Sequence, residues 1–257
     1  MSETLMLRLR ELKLPSFATH HGALAAEAER GGWSFATYLQ ELCELEMRER
    51  RERKVHRLQR SSLLPAEKTL ATLDLSLLPS PVRRQLPVLC EGGFLERAEN
   101  LLAFGLPGRG KTHVVCAIGH ELIQRGYRVL FVPAYRLVQR LLAAKRELTL
   151  STELRQLDRC DLVIIDDIGY VQQDREEMEV LFTFLAERYE RRSVAITSNL
   201  VFSEWDRIFK DAMTTAAAID RLVHHATILE LTGKSFRSEA AQKRSARSEE
   251  EKADARR

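Results

Sequence analysis

The stretch "GLPGRGKTH", Gly105 to His113, restricts this chain more than any other. It follows the apolar run "LLAF" and leads into a segment with helical periodicity. Gly105, Gly110, Lys111 and Thr112 fit the pattern G-x-x-x-x-G-K-[ST]. Glycines let the backbone curl until successive N–H groups face one anion, where side chains would obstruct the approach. In such a loop Leu106, Pro107, Gly108, Arg109 and His113 flank the phosphates. Lys111 reaches the β- and γ-phosphates, and the Thr112 hydroxyl ligates Mg²⁺. The start of the following helix adds a positive end. The geometry needs a strand before the loop and a helix after it.

The surrounding texture supplies both. From Asn100, short apolar runs alternate with amphipathic stretches. Strands are expected at 101–104, 129–132, 162–165, 194–197 and 227–231. Helices are expected at 112–125, 135–147, 175–191 and 213–225, the first closed by Gly126. Such alternation means an α/β fold, a parallel sheet covered on both faces.

Ligands of open parallel sheets bind at the carboxyl ends of the strands, and two further motifs fall there. "DLVIIDDIGY" ends an apolar strand in Asp166 and Asp167. Asp166 suits the coordination shell of Mg²⁺, and Asp167 suits a residue that orients or deprotonates attacking water. "SVAITSNL" ends a strand in Thr197, Ser198 and Asn199. Asn199 suits hydrogen bonds to a γ-phosphate and to that water.

The first sixty residues read as helical. Pro15 and Ser16 interrupt them, "GGW" breaks them, and Ser34 caps a helix whose stripe Phe35, Tyr38, Leu39, Leu42 and Leu45 reads as bundle core, with docking of a partner protein by part of it as the alternative. That helix runs into "RERRERKVHRLQR", with seven Lys or Arg against two Glu. Arg48, Arg50, Arg51, Arg53, Lys54, Arg57 and Arg60 form a positive surface suited to duplex DNA through counterion release. Pro65, Pro79, Pro81 and Pro87 punctuate residues 61–98. The expected organisation is a helical domain for DNA or a partner at 1–66, a linker and docking segment at 67–99, the sheet domain at 100–237, and a disordered charged tail at 238–257.

Composition excludes several classes. No apolar run approaches the roughly 18–20 residues that span a bilayer, and the opening "MSETLMLRLRELKL" lacks the apolar segment of a secretory leader. Cys43, Cys90, Cys116 and Cys160 lie far apart without a C-x-x-C, against structural zinc or a disulfide framework. Nothing near His224 and His225 in sequence completes a metal site. A cytoplasmic protein without a membrane partner is expected.

The three motifs in this order resemble the AAA+ ATPases. "GKTH", "IIDDIGY", "RYERRSVAITSN", Trp205, "AAIDRLVHHA" and "GKSFR" are similar to the IstB-like helper ATPases of bacterial insertion sequences, relatives of DnaC and DnaA. The resemblance implies a P-loop NTPase core of five strands in the order 5-1-4-3-2, with ATP and Mg²⁺ held between subunits of an oligomer on double-stranded DNA. It implies that Arg221 is an arginine finger acting on the neighbour's γ-phosphate, that Arg237 approaches a phosphate or DNA, and that the transposase of the same element is a partner. Three departures stand out. Asp167 replaces the usual glutamate, no helical lid follows the last strand, and Arg109 replaces a small residue.

The expected function is ATP-dependent regulation of transposition, with hydrolysis disassembling the DNA-bound complex. A DnaC-type helicase loader shares the core motifs, although the N-terminal segment and "GYVQQ…RYERRS" favour transposition. A small-molecule kinase would need an acceptor pocket and an arginine-bearing lid. A non-hydrolysing ATP switch is the remaining alternative, given Asp167.

Overall fold

The computed structural model describes residues 3–170, 175–200, 204–205 and 212–232. Arg237, "GKSFR" and the expected tail lie outside the described residues. The chain divides into two units, Met1–Arg57 and Leu58–Arg257.

The first unit holds α1 (Glu3–Glu11), α2 (Pro15–Gly31) and most of α3 (Phe35–Ser62). The expected interruption falls between Glu11 and Pro15, and Pro15 itself opens α2, where its missing N–H costs nothing. Ser34 accepts a hydrogen bond from the Thr37 N–H at 3.1 Å, as a helix cap should. Glu46 fastens α3 to the start of α2. It is buried, and its carboxylate accepts from the Ser16 N–H at 2.9 Å and from Arg50 Nη2 at 2.9 Å. Glu49 accepts from the Ser16 hydroxyl at 2.8 Å and pairs with Arg53 at 3.1 Å. Burial pushes the Glu46 pKa up, but the bonds from Ser16 and Arg50 outweigh it and hold the carboxyl below its ordinary value. A depressed folded pKa adds stability above the unfolded value, lost as pH falls through the folded one.

The apolar stripe of α3 is only partly core, which corrects the sequence reading. Leu42 is buried and Tyr38 and Leu45 half-buried, whereas Phe35 is 94% and Leu39 55% exposed. α2 meets this 28-residue helix through Ser16, His20 and His21, which contact Glu46, Glu49 and the Tyr38 hydroxyl, and Phe35 and Leu39 take no part in those contacts.

In the second unit, β1 (Asn100–Phe104), β2 (Val129–Pro133), β3 (Leu162–Asp166), β4 (Ser193–Ser198) and β5 (Ala226–Glu230) form one sheet in the order 2-3-4-1-5. Every pairing is parallel. This is the implied order 5-1-4-3-2 read from the other edge. β1, β3 and β4 are buried almost throughout, as strands covered on both faces require.

The covering helices are α4 (Ser80–Glu91), α5 (Gly93–Glu96), α6 (Lys111–Gln124), α7 (Ala134–Arg146), α8 (Leu150–Leu157), α9 (Arg175–Arg188) and α10 (Ala212–Val223). α4 packs on α6 with Val82, Leu86, Leu89 and Cys90 buried. Pro87, read as a break, lies inside α4. Its ring removes one hydrogen bond on an otherwise well-anchored helix, a cost the packing offsets. α9 ends three residues before the expected 191 because Glu190 is left-handed at φ 55°. Among the described residues no helix is long and apolar enough to cross a membrane.

Candidate functional site

The sheet continues one residue past β1. The Gly105 N–H donates to the Ser198 carbonyl at 3.3 Å, and the Leu231 N–H donates to Phe104 at 2.8 Å. The glycine-rich loop leaves from there and enters α6 through Gly110 at φ 84°, a conformation side chains resist. No side chain caps this end of α6. Its positive terminus therefore meets the space in front of it, an arrangement that favours an anion.

That space is a cleft of about 330 Å³. Pro107, Gly108, Gly110, Lys111, Thr112 and His113 line it from the loop side. Asp167, Thr197 and Asn199 line it from the ends of β3 and β4, and Lys68 from the segment ahead of β1. Gly105, Leu106 and Arg109 belong to the loop but do not line the cleft, and Leu106 is 61% exposed. Lys111 is buried, and its ammonium donates to the carbonyls of Gly105 at 2.6 Å and Leu106 at 3.1 Å.

A chain of short hydrogen bonds joins the three motifs. The Thr112 and Thr197 hydroxyls each donate to Oδ1 of Asp166 at 2.8 Å. The Asp167 N–H donates to the Thr197 hydroxyl at 2.8 Å. Asp167 itself is left-handed at φ 64°. A non-glycine residue held there is strained, and such strain concentrates at functional sites. Asn199 Oδ1 is buried without a hydrogen-bond partner among the described residues. Gly169 of "IIDDIGY" makes room for it, because a Cβ at that position would collide with the amide oxygen. Sequence reading placed Thr197 at the strand end but did not see that it links both aspartates. Its position at the edge that carries Asp166 was the available signal.

Trp205 is structural. It is buried against Phe104, with ring centroids 6.2 Å apart, and its Nε1 donates to the Leu200 carbonyl at 3.3 Å.

Arg221 is not in this cleft. It sits near the end of α10, at the amino edge of the sheet, in a small cavity with Asn100, Arg188 and Val194. Its guanidinium lies 5.0 Å over the Phe182 ring, a cation–π contact. Its Nη1 is buried without a hydrogen-bond partner among the described residues. Nearby, Glu190, His224 and His225 bring ligand atoms within 4.8 Å of one another, so structure supplies the third group that sequence lacked. The trio is exposed, and His224 Nδ1 is within 2.9 Å of the Tyr189 hydroxyl.

The seven basic residues of α3 are all exposed but differ in their pairing. Arg50 and Arg53 are paired with Glu46 and Glu49. Arg48, Arg51, Lys54, Arg57 and Arg60 form no ion pair among the described residues.

A parallel sheet in this order, with a glycine-rich lysine loop after β1 and a carboxylate after β3, defines a P-loop NTPase. The chain belongs to the IstB-like ATP binding protein family, whose description matches residues 7–246. It is 42% identical over 236 residues to a Sinorhizobium fredii protein named as an insertion sequence ATP-binding protein, covering 91% of this chain and 79% of that one. It is 35% identical over 229 residues to a Pseudomonas aeruginosa protein named for ATP binding and insertion sequence IS21, covering 89% and 86%. Among solved structures, that of DnaI matches with a TM-score of 0.56 at 21% identity, covering 66% of this chain and 96% of that one. The DnaC helicase loader matches at 0.53 and 18%, covering 65% and 98%. At such identities these two share the fold.

Proposed function

We propose that this chain is an ATP-hydrolysing, DNA-binding regulator of transposition that acts in the cytoplasm. ATP in the cleft brings subunits together on duplex DNA, the assembly recruits the transposase of the same element, and hydrolysis releases it. The observation that carries this reading is one cleft gathering Lys111, Thr112, Asp167 and Asn199, in a family whose relatives are named for insertion sequences.

Lys111 exchanges its two carbonyl acceptors for β- and γ-phosphate oxygens, and the loop and the start of α6 hold the rest of the phosphate chain. Thr112 and Asp166 offer hard oxygen donors already 2.8 Å apart, a donor set that fits Mg²⁺. When bound, the ion neutralises charge on the phosphates. Asp167 takes or directs the proton of the attacking water. Asn199, with an amide oxygen unmatched among the described residues, orients that water.

Arg221 lies at the other edge of the sheet from its own cleft, which supports action on a neighbour's nucleotide. To do so it leaves the Phe182 ring. The unpaired cations of α3, Arg48, Arg51, Lys54, Arg57 and Arg60, meet DNA phosphates. Arg50 and Arg53 add less while Glu46 and Glu49 hold them.

Two variants test this. Lys111→Ala in a folded protein abolishes ATP turnover, and normal hydrolysis by it would sink the site assignment. Replacing Arg51, Lys54 and Arg57 with alanine weakens duplex binding and flattens its salt dependence. Preference for single strands over duplex would move the reading to a helicase loader.

A further inference from the structure

The cleft holds a second cation that none of the motifs accounts for. Lys68 lies between Pro65 and the short 3₁₀ turn Leu70–Thr72, ahead of β1, and lines the same cleft as Gly108, Lys111 and Thr112. Hydrogen bonds to α6 fix the segment on both sides of it. His120 Nε2 is 3.1 Å from the Pro65 carbonyl. His113 Nε2 is 3.1 Å from the Thr69 carbonyl and 3.2 Å from the Thr72 hydroxyl.

Lys68 is half-buried, and among the described residues no carboxylate pairs with it. A partly desolvated cation of this kind is stabilised when an anion joins it. The same cleft carries the glycine-rich loop, the open end of α6 and Lys111, all suited to one kind of anion.

We propose that Lys68 is a phosphate-binding residue of this cleft, contacting the phosphate chain of bound ATP or ADP from the wall formed by residues 65–72. The proposal rests on reading the cleft as the nucleotide site. The segment thereby becomes part of the binding machinery, where sequence reading had placed only a linker and docking element. A merely structural role would lie in the aliphatic stem packing beside α6, and a neutral side chain of similar length would then suffice.

The test uses the full-length protein and fluorescent ADP and ATP analogues. Lys68→Met keeps the stem and removes the charge, and weakens binding about tenfold, the worth of one charge-assisted hydrogen bond. It also lowers the salt dependence of binding, while Lys68→Arg stays within about threefold of wild type. If Lys68→Met binds as wild type does while Lys111→Met loses binding, Lys68 touches no phosphate and the proposal falls alone. If neither change matters, the reading of the cleft falls with it. A second measurement needs no variant. Saturating MgATP slows acetylation of the Lys68 amine by an N-hydroxysuccinimide ester, together with that of Lys111. A Lys68 acetylated at an unchanged rate while Lys111 is protected overturns the proposal.

Discussion

The two edges of the central sheet hold their charged groups in opposite ways. At the carboxyl edge, small side chains form a short relay. Thr112 and Thr197 converge on Asp166, and Thr197 accepts from the Asp167 backbone. At the amino edge, two arginines share one small cavity. Arg188 is buried and donates to three carbonyls, those of Leu157 at 2.9 Å, Cys160 at 3.0 Å and Ser193 at 2.8 Å. Burial brings its pKa down to about 10, with Asp158 working the other way. Arg221 has a ring beneath it and a buried Nη1 without an acceptor among the described residues. Of two neighbouring arginines, one fixes the end of α8, the turn before β3 and the start of β4 with only its Nε unmatched among the described residues, and the other has a ring contact and an unmatched Nη1. Proximity and residue type do not reveal which is which; the acceptors do.

That contrast breaks if Arg221 behaves like Arg188. With Arg221→Ala, ATP turnover falls by about 10³-fold or more if the residue serves a neighbour's γ-phosphate, while ATP affinity and melting temperature change little. Mixing it with Lys111→Ala restores partial turnover, provided co-purification of differently tagged chains shows mixed assembly. A melting temperature lowered as far as in an Arg188 variant would make both arginines structural.

The next effect is on stability. Arg188→Met removes a buried donor from three carbonyls, of which that of Leu157 still accepts from the Cys160 N–H at 3.0 Å, and costs about 3 kcal/mol in urea unfolding. Nucleotide affinity of the folded fraction stays at the wild-type value. An undiminished unfolding midpoint would show that the carbonyls find other donors.

At the carboxyl edge, Asp167→Asn retains shape and left-handed backbone but removes the charge, so turnover falls about 10²-fold while MgATP still binds. Wild-type turnover would mean that another residue handles the water.

The smallest expected effect is at the relay. Thr197→Val keeps the volume and removes the hydroxyl that donates to Asp166 and accepts from Asp167, lowering turnover about tenfold. Stability measured in parallel separates this from a packing fault, since Thr197 is fully buried.

Much of the carboxyl edge was legible in sequence because its determinants are local. The glycine-rich loop, the acid pair and the Thr197–Asn199 turn are short strings that carry their own backbone demands. The five strands were legible for the same reason, each an apolar run bounded by polar turns. The eight-residue α8 was not anticipated, although Leu150, Leu154 and Leu157 recur along it at helical spacing, because two turns are too short for periodicity to stand out. Pro87 misled because proline is read as a local breaker, whereas the buried face of α4 decides the outcome. Lys68 carried no local signal at all. Its place in the cleft comes from two histidines more than forty residues later that bind the backbone on either side of it.

The fold-back of Lys111 onto the carbonyls of Gly105 and Leu106 has a consequence for selectivity. The loop does not present a bare cation to passing anions. An incoming group must compete with two acceptors already in place, so occupancy is an exchange and its free energy a difference. A lone phosphate on a nucleic-acid backbone offers few oxygens and little reward for the swap. A polyphosphate chain that also engages the loop amides and the end of α6 clears the threshold. On the proposed reading, in which the protein works among DNA phosphates, such self-occupation is expected to disfavour the most abundant wrong ligand.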